Sequence, residues 1–219
     1  DTLVLSEGDP VSLWLDSSSS GFDLSQTGSS RPTYHTAAGP LLEPAVEFTG
    51  SIPTSLETAA ILGTDLFSSN KCHIFVVQKQ NGAFPRHTTL FRTAVGVFIR
   101  SYLSYDDVLY FDFGSDNPGL GRISVAQPAG WDDNWQLTQL IREPPDIGTS
   151  RIRVQGTELV NGPVSDLLLL VNFDPLVIGT FPGANLTGWI AEIIIYKVAL
   201  SNANRLAVED YLNAKYSLF

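Results

Sequence analysis

Methionine is absent from the 219 residues, and cysteine is reduced to Cys72. A single thiol forms no internal disulfide and cannot assemble a structural zinc site of several cysteines, so cysteine says nothing about the compartment. Basic residues are scarce as well: 13 against 23 acidic ones, a formal charge of -10. That balance repels the phosphate backbone that dominates nucleic-acid affinity, and DNA and RNA are not expected as partners. No apolar run approaches the length of about eighteen residues that marks a membrane span, and the first residues lack the basic-then-apolar layout of a signal peptide. A soluble domain without membrane insertion is the expectation. Because the chain starts at Asp1 and carries no methionine, it is expected to be a processed product or a piece of a longer protein.

What is present is a series of short apolar runs cut by glycine, proline, asparagine and aspartate. Residues 11–16 alternate, with Val11, Leu13 and Leu15 on one face and Trp14 on the other. Residues 17–42 read as irregular connection with one short strand. Alternation resumes over 44–50, with Val46 and Phe48 inward, and the spacing of Leu56, Ala59, Ala60, Leu62 and Leu66 predicts one or two helical turns within 55–67. Residues 73–79 are apolar on both faces and hold the β-branched Val76 and Val77, the pattern of a strand crossing the middle of a sheet. Further strand patterns cover 89–92, 95–102, 108–113, 135–141, 150–155, 176–179 and 188–196, with a corner at Pro144 and Pro145.

Only the C-terminus has a convincing helix. Ser201 is a good N-cap, and Ala207, Val208, Tyr211, Leu212 and Lys215 share one face. Asn204 stands where a capping box would place Glu or Gln, so the reciprocal bond is not expected. Many short strands, turn-rich connections and one helix define an all-β, antiparallel sandwich or barrel with a C-terminal helix packed on it. No internal repeat or linker composition divides residues 1–219, which read as a single domain.

The closing segment, Gly188-x-Ile190-Ala191-Glu192-Ile193-x-Ile195-Tyr196 with Ala199-Leu200-Ser201 and Val208-Glu209-x-Tyr211-Leu212, resembles that of LamG-like domains of the concanavalin A-like lectin/glucanase superfamily. Leu13-Trp14-Leu15-Asp16, Arg31-Pro32-Thr33-Tyr34, the 44–50 strand and Ile74-Phe75-Val76-Val77 follow in the order such domains show. The resemblance implies a jelly roll of two antiparallel sheets that binds carbohydrate or protein on secreted, cell-surface or viral structural proteins. Family glycosidases resemble one another in a Glu-x-Asp-x-x-Glu strand, and no such run occurs here.

Chemistry-bearing residues point the same way. Asp106, Asp107 and Asp112 sit among turn formers, where acids are solvated turn residues before they are a glycosidase pair. His35, His73 and His87 lack a nucleophile elbow or a matched acid, so no catalytic residue is assigned and a non-enzymatic module is expected. Asp112, Asp116 and Asn117 offer clustered oxygens suited to calcium. For sugar binding, Trp131 and Trp135 flank the polar Asp132-Asp133-Asn134 turn, with Tyr102 and Tyr105 in a second polar loop; aromatic faces stack on pyranoses while polar neighbours hold hydroxyls. The alternative for the tryptophans is structural: Trp135 facing inward at a strand start and Trp131 capping the core. Trp14 and Trp189 read as core, Arg151 and Arg153 as pointing to solvent or a partner, and Asn185-Leu186-Thr187 fits a glycosylation sequon. The expected function is a carbohydrate-binding or adhesive module at an extracellular, cell-surface or virion surface, its partner a glycan or a protein surface. Residues 110–131 also resemble variants in phage structural proteins, which makes a virion component in a larger assembly (capsid decoration, tail or fibre) the alternative.

Overall fold

The computed structural model describes residues 5–50, 52–59, 61–62, 71–82, 87–93, 99–143, 147–165, 173–180 and 184–219. Among them, seven strands form one sheet in the order β14 (Thr157–Ser165), β13 (Ile147–Val154), β12 (Trp135–Glu143), β7 (Cys72–Gln80), β17 (Gly188–Tyr196), β4 (Ala45–Phe48) and β3 (Thr33–His35). Eight form the other: β1 (Leu13–Trp14), β2 (Leu24–Ser25), β5 (Leu56–Thr58), β16 (Leu176–Ile178), β8 (His87–Thr93), β9 (Ile99–Tyr105), β10 (Val108–Phe113) and β11 (Arg122–Ala126). A small pairing joins β6 (Ile61–Leu62) to β15 (Phe173–Asp174). The paired strands within the sheets are antiparallel, so the fold is an all-β sandwich.

β7 lies mid-sheet between β12 and β17, and its two apolar faces have two destinations. Cys72, Ile74 and Val76 enter the core between the sheets with Phe48, Leu90, Ile99, Phe111 and Ile190. Phe75 and Val77 face the other way, into a second cluster with Leu137, Leu212 and Tyr216 under the terminal helix. A strand can be apolar throughout only where both faces are covered.

That helix, α1 (Asn202–Tyr216), starts as its sequence dictates: the Ser201 hydroxyl accepts the Asn204 amide at 3.3 Å. Its docked stripe differs from the apolar pattern, because Glu209, Leu212 and Tyr216 are the buried positions while Ala207 and Tyr211 are exposed. Polar anchors set this orientation. Glu192 on β17 accepts the Tyr216 hydroxyl at 2.8 Å, the Lys215 ammonium at 2.9 Å and the Tyr211 hydroxyl at 3.2 Å. Glu209 accepts the Gln139 amide at 2.7 Å and pairs with Arg205.

Two local expectations are corrected. Residues 56–58 form a strand with Leu56 and Thr58 in and Glu57 out, a period of two that overrides the helical spacing; residues 63–67 of that proposed helix lie outside the described residues. On the short edge strand β1, Trp14 packs on the core, as expected, while Leu13 and Leu15 on the other face are exposed. Trp189 stands on the outer face of its sheet, half-buried, with the Lys79 ammonium 4.9 Å from its ring, whereas neighbouring Ile190 fills the core. Residues 95–98 and the corner at Pro144 and Pro145 lie outside the described residues. Asp106 and Asp107 both adopt the left-handed conformation (φ 53° and 63°) between β9 and β10, the geometry of a two-residue hairpin turn.

Candidate functional site

The hairpin closed by Asp106 and Asp107 turns its polar alternate residues onto one surface. Ile99, Leu103, Leu109, Phe111 and Phe113 point into the sandwich, which sends Arg100, Tyr102, Tyr110 and Asp112 to the opposite face of the eight-stranded sheet. Register then lines them up. Arg92 lies opposite Arg100, Arg100 opposite Asp112 and Asp112 opposite Arg122, while in the adjacent row Tyr102 faces Tyr110 and Tyr110 faces Ser124.

Asp112 is the pivot of this face and is fully buried. Its Oδ2 accepts Arg100 Nε at 3.1 Å and Nη2 at 3.0 Å, and Arg122 Nη2 at 2.7 Å; its Oδ1 accepts Arg122 Nε at 2.6 Å. Asp116 extends the network at the rim, 3.3 Å from Arg100. The hydrogen bond to Asp112 raises the Arg122 pKa, so its charge is fixed at any working pH. Each guanidinium also supports an aromatic ring: Arg100 sits 5.0 Å from Tyr102 and Arg122 4.7 Å from Tyr110. Tyr102, Tyr105 and Tyr110 meet edge to face with centroids 5.5, 6.0 and 6.2 Å apart. Tyr102 is buried, and burial pushes its phenol pKa up. Tyr105 is 38% exposed and Tyr110 is half-buried. The result is a rigid aromatic platform with two arginines and a rim carboxylate beside it, able to stack an apolar face and bond hydroxyls.

Of the residues expected at a site, Tyr102, Tyr105, Asp112 and Asp116 converge here, and the tryptophan loop does not. Trp131 is 2% exposed; its Nε1–H donates to Gln80 Oε1 at 2.9 Å, so it caps the core and presents no face to a ligand. Trp135 begins β12 and packs into the cluster under α1. Asp133 accepts the Gly82 amide at 3.4 Å, and Asn134 donates to the carbonyls of Gly130 and Asp132 at 3.0 and 3.1 Å. These polar groups hold the loop shut against its neighbours. At the residues read as calcium ligands, two guanidiniums occupy the carboxylate of Asp112, and the backbone carbonyl of Asn117 accepts the amides of Leu120, Gly121 and Arg122. Among the described residues no three His, Cys, Asp or Glu side chains gather as a metal-ligand set.

Other candidates also have structural roles. His73 is buried, stacks 4.2 Å from Phe75 and bonds Gln139 at 3.2 Å; burial lowers its pKa to about 4. Arg151 pairs with Glu143 at 2.6 Å, and Arg153 lies between Glu158 and Glu209 at 3.6 and 3.8 Å, so neither points freely to solvent. Both ends of the Asn185 amide are engaged, by Thr180 at 2.7 Å and the Gly50 carbonyl at 3.4 Å. The residues that sequence reading missed are Arg100, Tyr110 and Arg122. The available signal was the alternation of Arg100 and Tyr102 with core residues, but only the register of three strands brings them onto one carboxylate.

Neither a protein-family model nor a curated protein sequence matches this chain. Solved structures share its fold. The receptor binding domain of botulinum neurotoxin C/D mosaic serotype superposes with a TM-score of 0.69 at 12% identity, over 90% of this chain and 48% of that one. The binding domain of botulinum neurotoxin DC in complex with rat synaptotagmin II gives 0.53 at 14% identity, over 94% and 46%. Domain 4 of a GH43 extracellular arabinanase from Geobacillus stearothermophilus, in complex with arabinotriose, gives 0.59 at 16% identity, over 84% and 83%. The chain spans about half the length of the neurotoxin binding domains it matches. At these identities the likeness establishes a β-sandwich fold shared with receptor- and carbohydrate-binding domains.

Proposed function

We propose that this chain is a non-enzymatic recognition module for carbohydrate, displayed outside a cell or on a surface assembly, with Tyr105 and Tyr110 as its stacking platform. The observation that carries the reading is the buried Arg100–Asp112–Arg122 network, which locks the tyrosine cluster in place on a sheet face. Prepositioned rings lose little conformational freedom when a sugar arrives, and the Asp116 carboxylate at the rim, 54% exposed, offers an acceptor for hydroxyls. The same network argues against hydrolysis, since a carboxylate clamped by two guanidiniums is neither a general acid nor an accessible nucleophile. The arabinotriose complex of the arabinanase domain shows a sandwich of this fold holding a sugar, which supports the ligand class.

The test is a glycan array that includes arabino-oligosaccharides and sialylated glycans, probed with the wild type and with Tyr105→Ala and Tyr110→Ala. Each substitution is expected to lower affinity about tenfold, the equivalent of 1.4 kcal/mol, with the melting temperature recorded for every variant. Binding to no glycan, or binding indifferent to both changes in folded protein, refutes the reading.

A further inference from the structure

β17 is paired with β7 along its length, from Gly188 opposite Gln80 to Tyr196 opposite His73. On its other edge β4 reaches only from Gly188 to Ile190. Among the described residues no strand pairs with that edge from Ala191 to Tyr196, and no loop backbone hydrogen-bonds to it. A cavity of about 520 Å³ opens at this place, and the five consecutive residues Ala191 to Ile195 line it. Successive residues of a strand point to opposite faces of the sheet. A cavity that meets five in a row therefore lies against the edge of the strand and reaches both of its faces, with Tyr211 and Lys215 of α1 on the outer side.

Its floor is Leu176 and Ile178 of the opposite sheet, its far wall includes Trp14 and Phe22, and Ile193 and Ile195 are only half-buried beside it. Two demands thus coincide: a row of unpaired N–H and C=O groups and an uncovered part of the core. One occupant meets both. An added strand closes the ladder with its backbone and places alternate side chains on Ile193, Ile195, Leu176 and Ile178; a sugar would set hydroxyls against that apolar floor.

Charge narrows the occupant further. The Asp16 carboxylate is engaged by the amides of Ser18 and Phe22 and the Ser18 hydroxyl, and Glu192 by Tyr211, Lys215 and Tyr216. Lys197, at the end of the open edge, is exposed, lies 5.6 Å from the Phe22 ring and has no carboxylate partner among the described residues. The carboxylates of the groove thus have their hydrogen-bond donors in place, and the Lys197 ammonium is the charged group left to meet an incoming acid.

We propose that the open edge of β17 is a docking site for an extended segment of a partner polypeptide, added to the seven-stranded sheet, with apolar side chains at alternate positions and an acidic residue at the end facing Lys197. Six residues of open edge match a segment about 20 Å long.

Fluorescence anisotropy with a panel of labelled heptapeptides tests this, with valine, isoleucine or leucine at positions 1, 3 and 5 and glutamate or lysine at position 7. Glutamate peptides are expected to bind at least tenfold more tightly than their lysine counterparts, and Lys197→Glu to invert that order while leaving the melting temperature in place. Methylating the peptide's backbone amides at only odd or only even positions is expected to abolish binding in one series and spare it in the other, because a strand offers alternate amides to its neighbour. Failure of the whole panel to bind, or equal binding by both methylated series, overturns the proposal. So does displacement of peptide by an oligosaccharide, or a dimer that fills the edge with a second copy in sedimentation experiments.

Discussion

Removing the carboxylate of Asp112 leaves the guanidiniums of Arg100 and Arg122, whose side chains are 10% and 22% exposed, facing each other across an empty position. Four charge-assisted hydrogen bonds of 2.6 to 3.1 Å disappear at once. The rim carboxylate of Asp116 still meets Arg100, but at 3.3 Å and from the solvent side. Breaking a buried ion pair by deleting one partner costs about 3–5 kcal/mol. For a chain of this size about 2–4 °C accompany each kcal/mol, so Asp112→Ala is expected to lower the melting temperature by roughly 6–20 °C. Thermal and urea unfolding followed by circular dichroism measure the loss, and a double-mutant cycle with Arg122→Met isolates the pair. A coupling of about 2 kcal/mol is expected, because neither side chain has its full value without the other. Since Arg122 lies against the Tyr110 ring, the variant is also expected to bind glycan more weakly at temperatures where it remains folded. A destabilisation under about 1 kcal/mol, or strictly additive effects in the cycle, refutes the assignment of Asp112 as the pivot of this face.

Two histidines are expected to act on stability with opposite signs. Burial lowers the folded-state pKa of His73 from 6.5 to about 4, so its contribution is fully present above pH 6.5 and is lost as pH falls towards 4; the difference is about 3 kcal/mol, and urea unfolding across that range is expected to show a shallower slope in His73→Asn. His35 lies the other way: its ring nitrogens meet Glu7 at 2.6 Å and Glu47 at 3.0 Å, and its pKa is raised even though its partial burial pulls downward. Its stabilisation is present below pH 6.5 and is lost as pH rises through the raised value, a loss that His35→Ala removes. Trp131→Phe deletes the buried bond to Gln80 and is expected to cost about 1–3 kcal/mol in unfolding experiments while leaving glycan affinity unchanged.

The sandwich was legible because its strands obey local rules: β7 is apolar on both faces, β10 alternates, and Ser201 caps the terminal helix. β14 was missed because Leu159 and Val160 are adjacent in sequence, which breaks strict alternation, and a register shift between Ile152 and Arg153 leaves no clean period. The site was half legible. Aromatic residues pointed to Tyr102 and Tyr105 for sugar, and clustered oxygens to Asp112 and Asp116 for calcium, yet nothing local told apart a tryptophan in a polar loop from one that caps the core, as Trp131 does. Arg122 joins Asp112 from the next strand across a turn, and only the pairing register shows that they meet. The open edge of β17 had no sequence signal, because it arises where β4 ends early.

The most direct measurement is chemical-shift mapping of the isotopically labelled protein titrated with the best-binding oligosaccharide from the array. The largest amide shifts are expected over Ile99–Tyr105, Val108–Phe113 and Arg122–Ala126, the strands that carry the tyrosines and their arginines. Shifts confined to the Trp131–Trp135 loop, to the β17 groove, or to no region at all would contradict a carbohydrate site on this face.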